Sequence, residues 1–575
     1  MQRSNKILTI CTLGLYPLIK TMKRQKAERK QEGKTVDDYT FIDQLKMTKG
    51  ERIALKVTKF LIKCKNVLLT ILLFLPRLFK KIGLSIYHTA EDLIYTAKNG
   101  DFATRANFIF LGSANMKHGQ IGHGIILFLY QILYFAYLFV NTTGIRHLIG
   151  LFTLGTVETH SIPVCEDYGL GMDCSGTATV TGDDSAKFLL FGILGLLLLI
   201  IFVAVYIQSN RSSIKLQEEY EEGRHIQNFR EEIADHANGK FHRLLLALPL
   251  LGVFFFSILP LLDMIMMAFT NYDMNHQTPT FLFEWRGLEN FVTLFNSNLA
   301  NLFWPILWWT IVWAIMATVT NYFAGIVMAL IINKKSIKLK KLWRTALVLS
   351  IAVPQFVSLL AMNKFLAQSG YLNQILEAMG VFNLPIIKSI FGERVALSVT
   401  TQGGGIDWLS NIGEQSITLF GHTYKVLLAK PTIIVVNLWI GIPYSVLSNT
   451  GILMNIPADL YESARIDGAS PVKQFFKITL PYIVFVTAPA TITQFIGNIN
   501  NFNVIFFLTG GGPTTGMLAA GKTDLLVTWL YKLTVDRNYF SLASVIGILT
   551  FIFCSIIGLI MYKNSASVKD EEAFM

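Results

Sequence analysis

An all-α polytopic membrane protein of about eight transmembrane helices is the fold this sequence predicts, and three observations carry that expectation. The 575 residues are 52% hydrophobic and only 15% charged, with a mean hydropathy of +0.46, too apolar for a soluble chain of this length. Eight long apolar runs follow one another, at Ile121–Val140, Phe188–Ile207, Leu244–Ala268, Phe303–Ile332, Leu342–Leu366, Thr432–Leu453, Tyr482–Leu508 and Phe540–Tyr562. The loops between them differ in basic content: six Lys and Arg fall between Asn333 and Arg344, against two in the 141–187 loop and one in the 273–302 loop. Basic loops stay on the cytoplasmic side, which puts both termini and the 459–481 loop in the cytoplasm.

Taken in order, residues 1–120 hold 22 of the 50 Lys and Arg, with a basic run at Lys20–Lys34 and apolar patches at Ile7–Ile19 and Val67–Phe79. Neither patch reaches the roughly 20 residues of a spanning helix, so this stretch reads as a basic cytoplasmic region with interfacial helices. It lacks the pattern of a cleavable signal, since Ile7–Ile19 is short and no small-residue cleavage site follows. The net charge of +12 does not point to nucleic acid, because the basic residues flank apolar runs, where anionic lipid headgroups attract them. Residues 121–243 form two spans and a cytoplasmic linker whose 208–243 part, with six basic and seven acidic residues, reads as a solvated charged helix. Residues 244–565 form a six-helix core, and 566–575 a cytoplasmic tail. Five cysteines show no metal-ligand spacing; only Cys165 and Cys174 are close, in an external net-acidic loop, where a disulfide and two free thiols fit equally well.

Between the sixth and seventh runs lies Tyr461–Pro481, YESARIDGASPVKQFFKITLP. Small and acidic residues on a short helix followed by Gly468 make a compact knuckle, because glycine accepts the left-handed turn that ends a helix. A bare ESA would suit any cytoplasmic loop; the spacing is more specific. Glu462, Ser463 and Ala464, then Gly468, Ile478, Leu480 and Pro481, fit E-A-A-x3-G-x9-I-x-L-P. In this the chain resembles the permeases of carbohydrate ABC importers, specifically the larger permease of maltose and maltodextrin systems, and the resemblance covers about 105–562. It implies a type I importer permease fold. It also implies that Glu462, Ser463, Ala464, Asp467, Gly468, Ala469 and Ser470 form the coupling loop that a cytoplasmic ATPase grips.

Two intramembrane stretches are apt to line a sugar path. NLWIGIPY, Asn437–Tyr444, has its helix interrupted by Gly441 and Pro443, with Asn437 and Tyr444 two turns apart on one broad face. QFIGNINNF, Gln494–Phe502, places Asn498 and Asn501 on a shared face. Amides bond sugar hydroxyls, aromatic rings stack on sugar faces, and the absence of charge suits a neutral substrate. The resemblance implies substrate contacts at Asn437, Ile440, Gly441, Tyr444, Gln494, Gly497, Asn498 and Asn501. Gly497 and Gln494 depart from the family, which has an aromatic and a small hydroxyl there. The competing reading makes these asparagines glue between helices.

The remaining marks are weaker. Arg105–Gln120 and Thr523–Thr534 resemble segments of long-form maltodextrin permeases, GLENF at Gly287–Phe291 resembles the start of the permease core, and the 368–431 connection is long for the family and reads as a surface elaboration. No large external domain interrupts the 273–302 loop, which points to a single-membrane bacterium. TGGGP at Thr509–Pro513 is an outer turn and not a nucleotide loop, since no G-K-[ST] follows. No enzyme constellation occurs, so the chain itself binds no cofactor; ATP and Mg belong to a partner. The resemblance implies a second homologous permease, two ATP-binding subunits, an extracellular sugar-binding lipoprotein and membrane lipid as partners. Maltodextrin is the expected substrate, with galacto-oligosaccharides as the alternative. A rival of another class is an ion- or proton-coupled transporter using Asp263, although Asp263, after Pro260, fits better as a bond to a freed backbone amide or a neighbouring helix. A glycan-handling enzyme would need a carboxylate pair in the cavity, and the candidate sugar face has none.

Overall fold

The computed structural model describes residues 83–564 except 141–142, 159, 168–171, 181, 229, 232–233, 235–240, 279, 297, 335–336, 401–402, 411–413, 420–421 and 517, with isolated positions before 83. The apolar patches and basic run expected before Gly83 lie outside the described residues save Pro76, as does the 566–575 tail. Among the described residues, seven helices are long and apolar enough to cross a membrane, or eight if one bent pair counts as a span. The chain divides into two compact units, Met1–Tyr134 with Ile200–Lys240, and Phe135–Leu199 with Phe241–Met575.

The first unit begins with α1 (Phe102–Ala106) and α2 (Ser113–Lys117), followed by most of α3 (Ile121–Phe139). Asp101 caps α1 by accepting from the Thr104 amide at 2.7 Å. Its carboxylate also meets Lys117 and, at 3.2 Å, His118 Nε2, while its own amide donates to Gln217. Asn107, fully buried, donates to Ser209 Oγ and Asn210 Oδ1, both at 3.1 Å. The lead-in before the first span is thereby folded back onto the polar end of a later helix.

In the second unit, α4 (Thr143–Thr153) and a hairpin of β1 (His160–Asp167) with β2 (Met172–Val180) fill the connection between the first two long helices. The hairpin register breaks between Val164 and Glu166, so the backbone of Cys165 lies across from the stretch that holds Cys174. Next comes α5 (Ser185–Glu221), which runs from this unit into the first; at 1.5 Å per residue it is about 55 Å long, so its polar C-terminal part extends beyond a bilayer. The third run is α6 (Phe241–Val253), a π-turn at Phe254–Ile258 and α7 (Leu259–Met267). The π-turn comes just before Pro260, whose missing N–H would otherwise break the ladder. The same device recurs at Phe475–Thr479, just before Pro481.

After α8 (Glu289–Asn296), α9 (Ala300–Asn333) is the axis of the unit. It has no charged residue along its length and buries Trp309, Trp313, Ala317, Thr318, Asn321 and Gly325 on one side. The fifth apolar run is not the straight span expected from length. It splits into α10 (Lys340–Ala352) and α11 (Gln355–Phe365), bent by 91°, because Pro354 forces Val353 into extended backbone.

The long connection after α11 carries α12 (Tyr371–Ala378), α13 (Pro385–Phe391) and a hairpin of β3 (Gln415–Leu419) with β4 (His422–Val426). It has its own apolar cluster of Phe382, Val395, Val399 and Ile406. Asn373, fully buried, staples it by donating to Ile406 O at 2.8 Å and accepting from Trp408 Nε1 at 3.0 Å.

The C-terminal part consists of α14 (Ala429–Met454), α15 (Ala458–Ile466), α16 (Pro471–Gln474), α17 (Leu480–Ile499), α18 (Phe502–Thr509), α19 (Leu526–Tyr531) and α20 (Phe540–Asn564). Two apolar cores hold it together. One gathers Trp309, Trp313, Ile433, Val436, Val504 and Ile505; the other packs Phe303, Ile306 and Trp529 against Val545 and Ile546 of α20.

Candidate functional site

Both candidate sugar motifs pack on α9. At the α9–α14 crossing small residues permit close approach: a Cβ at Gly325 would lie 2.2 Å from Ser445 Cβ, and one at Gly441 would lie 2.5 Å from the Asn321 carboxamide. At the crossing with α17, Trp313 Nε1 donates to the Asn498 carbonyl at 3.1 Å, and Asn498 Nδ2 donates to Thr318 Oγ1 at 2.9 Å. Tyr322 bonds Thr487 at 2.8 Å one turn further along α9. The asparagines of the second motif form a joint: Asn500 caps the end of α17, and Asn501 caps α18 by accepting from the Val504 amide. Asn501 Nδ2 reaches Asn498 Oδ1 at 3.5 Å.

The structure therefore sets Gly441 and Asn498 against α9, with Asn501 bonded to Asn498 and Asn437 one turn from Gly441 on α14. Asn437 and Tyr444, expected on one face, meet different surroundings. Asn437 is buried, whereas Tyr444 is half-exposed and, with Ile440, Trp439 and Pro443, lines a cavity of about 580 Å³ that also reaches Gln355 and Ser358 at the α10–α11 bend. Gln494 is partly buried, and Gly497 faces open space, with nothing within 4 Å of where its side chain would begin.

Sequence reading missed the contribution of α9. Its signal was present: Thr318 and Asn321 are polar, buried and one turn apart in an uncharged, mostly apolar helix, where a polar group is costly unless used. It also missed the fastening of the turn at Thr509–Pro513. Asp524, fully buried, accepts from Lys532 Nζ at 2.8 Å, from the Gly521 amide at 2.7 Å and from Thr528 Oγ1 at 2.9 Å. Gly511 lies against this pair, and a Cβ there would be 1.8 Å from Asp524 Oδ1. Asp263, on α7, is partly buried, and its Oδ1 has no hydrogen-bond partner.

The knuckle between α14 and α17 is self-locked. Gly468 has φ +73°, the Ala469 amide donates to Ala464 O at 2.8 Å and the Gly468 amide to Arg465 O at 3.0 Å, the Schellman pattern that closes α15. Ser470 then caps α16 by accepting from the Lys473 amide. Glu462 lies 3.6 Å from Arg465 on the surface, and Tyr461 bonds Thr479 at 2.9 Å, tying α15 to the π-turn that leads into α17. Ile466, Leu460 and Val472 are exposed apolar side chains on this polar loop, with Ile466 87% exposed. The arrangement offers a rigid peg with an apolar tip, joined to the helix that carries Asn498.

Comparison with known proteins agrees with this geometry. Residues 321–567 match the family described as binding-protein-dependent transport system inner membrane component. The chain is 33% identical over 396 residues to the galactooligosaccharides transport system permease protein GanP of Bacillus subtilis, an alignment covering 68% of this chain and 86% of that one. It is 30% identical over 475 residues to the maltodextrin transport system permease protein MdxF of the same organism, covering 81% and 95%. To the maltodextrin transport system permease protein MalC of Streptococcus pneumoniae it is 31% identical over 389 residues, covering 67% and 83%.

Proposed function

From the premise that the chain belongs to the binding-protein-dependent transport system inner membrane components, as a permease subunit of sugar ABC importers, we propose that it carries a neutral oligosaccharide of the maltodextrin type. In such systems ATP is hydrolysed by a separate subunit. One observation carries the substrate class: α9, α14 from Pro431 onward, α17 and α18, which hold the candidate residues, contain no Asp, Glu, Lys or Arg. The site would therefore act through amides and aromatic rings, with Asn437, Asn498 and Asn501 bonding hydroxyls and Tyr444 offering a ring; Ile440, Gly441, Gln494 and Gly497 would shape the path. Gly497, with open space before it, would leave room for more than one sugar unit. The resemblance to a galactooligosaccharide permease supports a second substrate, galacto-oligosaccharides, which share the neutral hydroxyl chemistry.

The complete importer in this reading contains a second related permease, two ATP-binding subunits using ATP and Mg, and an extracellular sugar-binding lipoprotein, with the 459–481 loop and both termini in the cytoplasm. The exposed tip of α15 supports seating of Glu462–Ser470 in an ATPase cleft. Closure of the ATPases would move α15 and, through Tyr461 and Thr479, the base of α17. The loaded binding protein and ATP would favour the outward-facing state, and hydrolysis would restore the inward one. Purification of the importer through this chain, followed by a binding screen of the recovered binding protein against maltotriose and galactotriose, tests the substrate. Tight binding of maltotriose supports the proposal; binding of galactotriose alone transfers it to the second substrate.

A further inference from the structure

Asn321 and Asn437 leave complementary groups unpaired where α9 crosses α14. Asn321 Oδ1, an acceptor, and Asn437 Nδ2, a donor, are both buried without a hydrogen-bond partner, on side chains only 3% and 5% exposed. A buried polar atom left unsatisfied costs about 1–3 kcal/mol, so both are held at a standing cost to the fold. Both belong to the α9–α14 crossing. The Asn321 carboxamide rests against Gly441, and Gly441 is one turn from Asn437 on the same face of α14. Thr318, three residues before Asn321, receives the Asn498 amide. Asn321 is thus at the meeting point of the two motifs that carry the candidate sugar residues.

From this arrangement we infer that Asn321 is a further specificity-determining residue of the sugar path, a claim that rests on the oligosaccharide reading above. A sugar hydroxyl both donates and accepts, so a single hydroxyl satisfies both orphaned atoms, accepting from Asn437 Nδ2 and donating to Asn321 Oδ1. A deoxy position supplies neither bond and leaves two buried groups unpaired, the situation in which polar sites discriminate most strongly. Gly441 gives the approach: it has no side chain, and one there would lie 2.5 Å from the Asn321 amide. In the conformation described, the two amides are closed off, and separation of α14 from α9 admits the hydroxyl.

The test uses Asn321→Leu and Asn321→Ser in the complete transporter purified through this chain, with maltotriose delivered by saturating binding protein as the probe. An unpartnered amide that serves only the fold is replaced by the similarly sized leucine without loss of stability, since a buried unsatisfied group is removed. The expected result is an Asn321→Leu complex that assembles and melts at or above the wild-type temperature while its maximal ATP-dependent uptake falls about tenfold, equivalent to about 1.4 kcal/mol. Asn321→Ser, which keeps an oxygen acceptor, recovers part of that loss. Uptake by Asn321→Leu within twofold of wild type overturns the inference, as does failure of both variants to assemble, which assigns the amide to the helix crossing. Wild-type complex that imports neither maltotriose nor galactotriose with ATP removes the oligosaccharide reading itself, a result distinct from wild-type uptake that the variants leave unchanged.

Discussion

Gly441 of α14 lies over the carboxamide of Asn321 on α9, so closely that a methyl group at 441 would be 2.5 Å from both its oxygen and its nitrogen. Substitution here forces the helices apart or displaces the amide. Gly441→Val should destabilise the protein by about 1–3 kcal/mol, as overpacking does, and lower uptake with it. Gly441→Ala combined with Asn321→Ala should recover stability relative to Gly441→Ala alone. A double-mutant cycle on the melting temperature measures the coupling, and additive effects would deny the contact.

The knuckle should be separable from folding. Gly468 has φ +73° and nothing within 4 Å of a would-be side chain, so the cost of Gly468→Val is backbone strain of about 1–2 kcal/mol, with no clash inside this chain. The variant should reach the membrane at near-normal levels and lose at least nine-tenths of its uptake. Ile466→Asp, which charges the exposed apolar tip, should weaken co-purification of the ATPase. Normal uptake by both variants would remove the coupling role.

Asp524 and Lys532 form a buried ion pair at 2.8 Å. Removing one partner strands the other charge, which typically costs about 3–5 kcal/mol, so Asp524→Ala should sharply reduce the melting temperature. Replacing both, as Asp524→Leu with Lys532→Met, should recover most of the loss. Equal damage from the single and double changes would show that the bonds to Gly521 and Thr528 matter more than the charge.

The connection between α3 and α5 carries a pH-sensitive contact. Burial alone would push the Asp183 carboxyl up, but the amides of Thr156 and Val157 and the Arg146 guanidinium outweigh it and hold it below the ordinary carboxylate value. A carboxylate lowered on folding contributes stability that is present above its unfolded pKa of about 4 and is lost as pH falls below that. Asp183→Asn should lower stability at neutral pH and flatten its decline on acidification, which thermal melts from pH 7 to pH 3 measure.

Much of the architecture could be read from the sequence because bilayer thickness sets helix length. The glycine that closes the knuckle was legible for the same kind of reason: at Gly468 the backbone conformation dictates the residue. What escaped was set by distant partners. The bend at Pro354 hides in a run whose length alone fits one span. Asp524 and Lys532 are eight residues apart, and nothing local says they meet. Asn321 is one of three asparagines among the 34 residues of α9, and only the packing of Gly441 against it reveals its place. The folded 368–431 connection depends on Asn373 reaching Ile406 and Trp408, a closure over more than thirty residues that periodicity does not register.

The measurement that tests the account most directly is maltotriose uptake into proteoliposomes carrying the complex purified through this chain, with its binding protein present, with and without ATP and with a protonophore. The account predicts uptake that requires ATP and the binding protein and is indifferent to the protonophore. Uptake that persists without ATP and collapses when the proton gradient is dissipated would contradict it, and would make Asp263, with its unpartnered Oδ1, the residue to pursue.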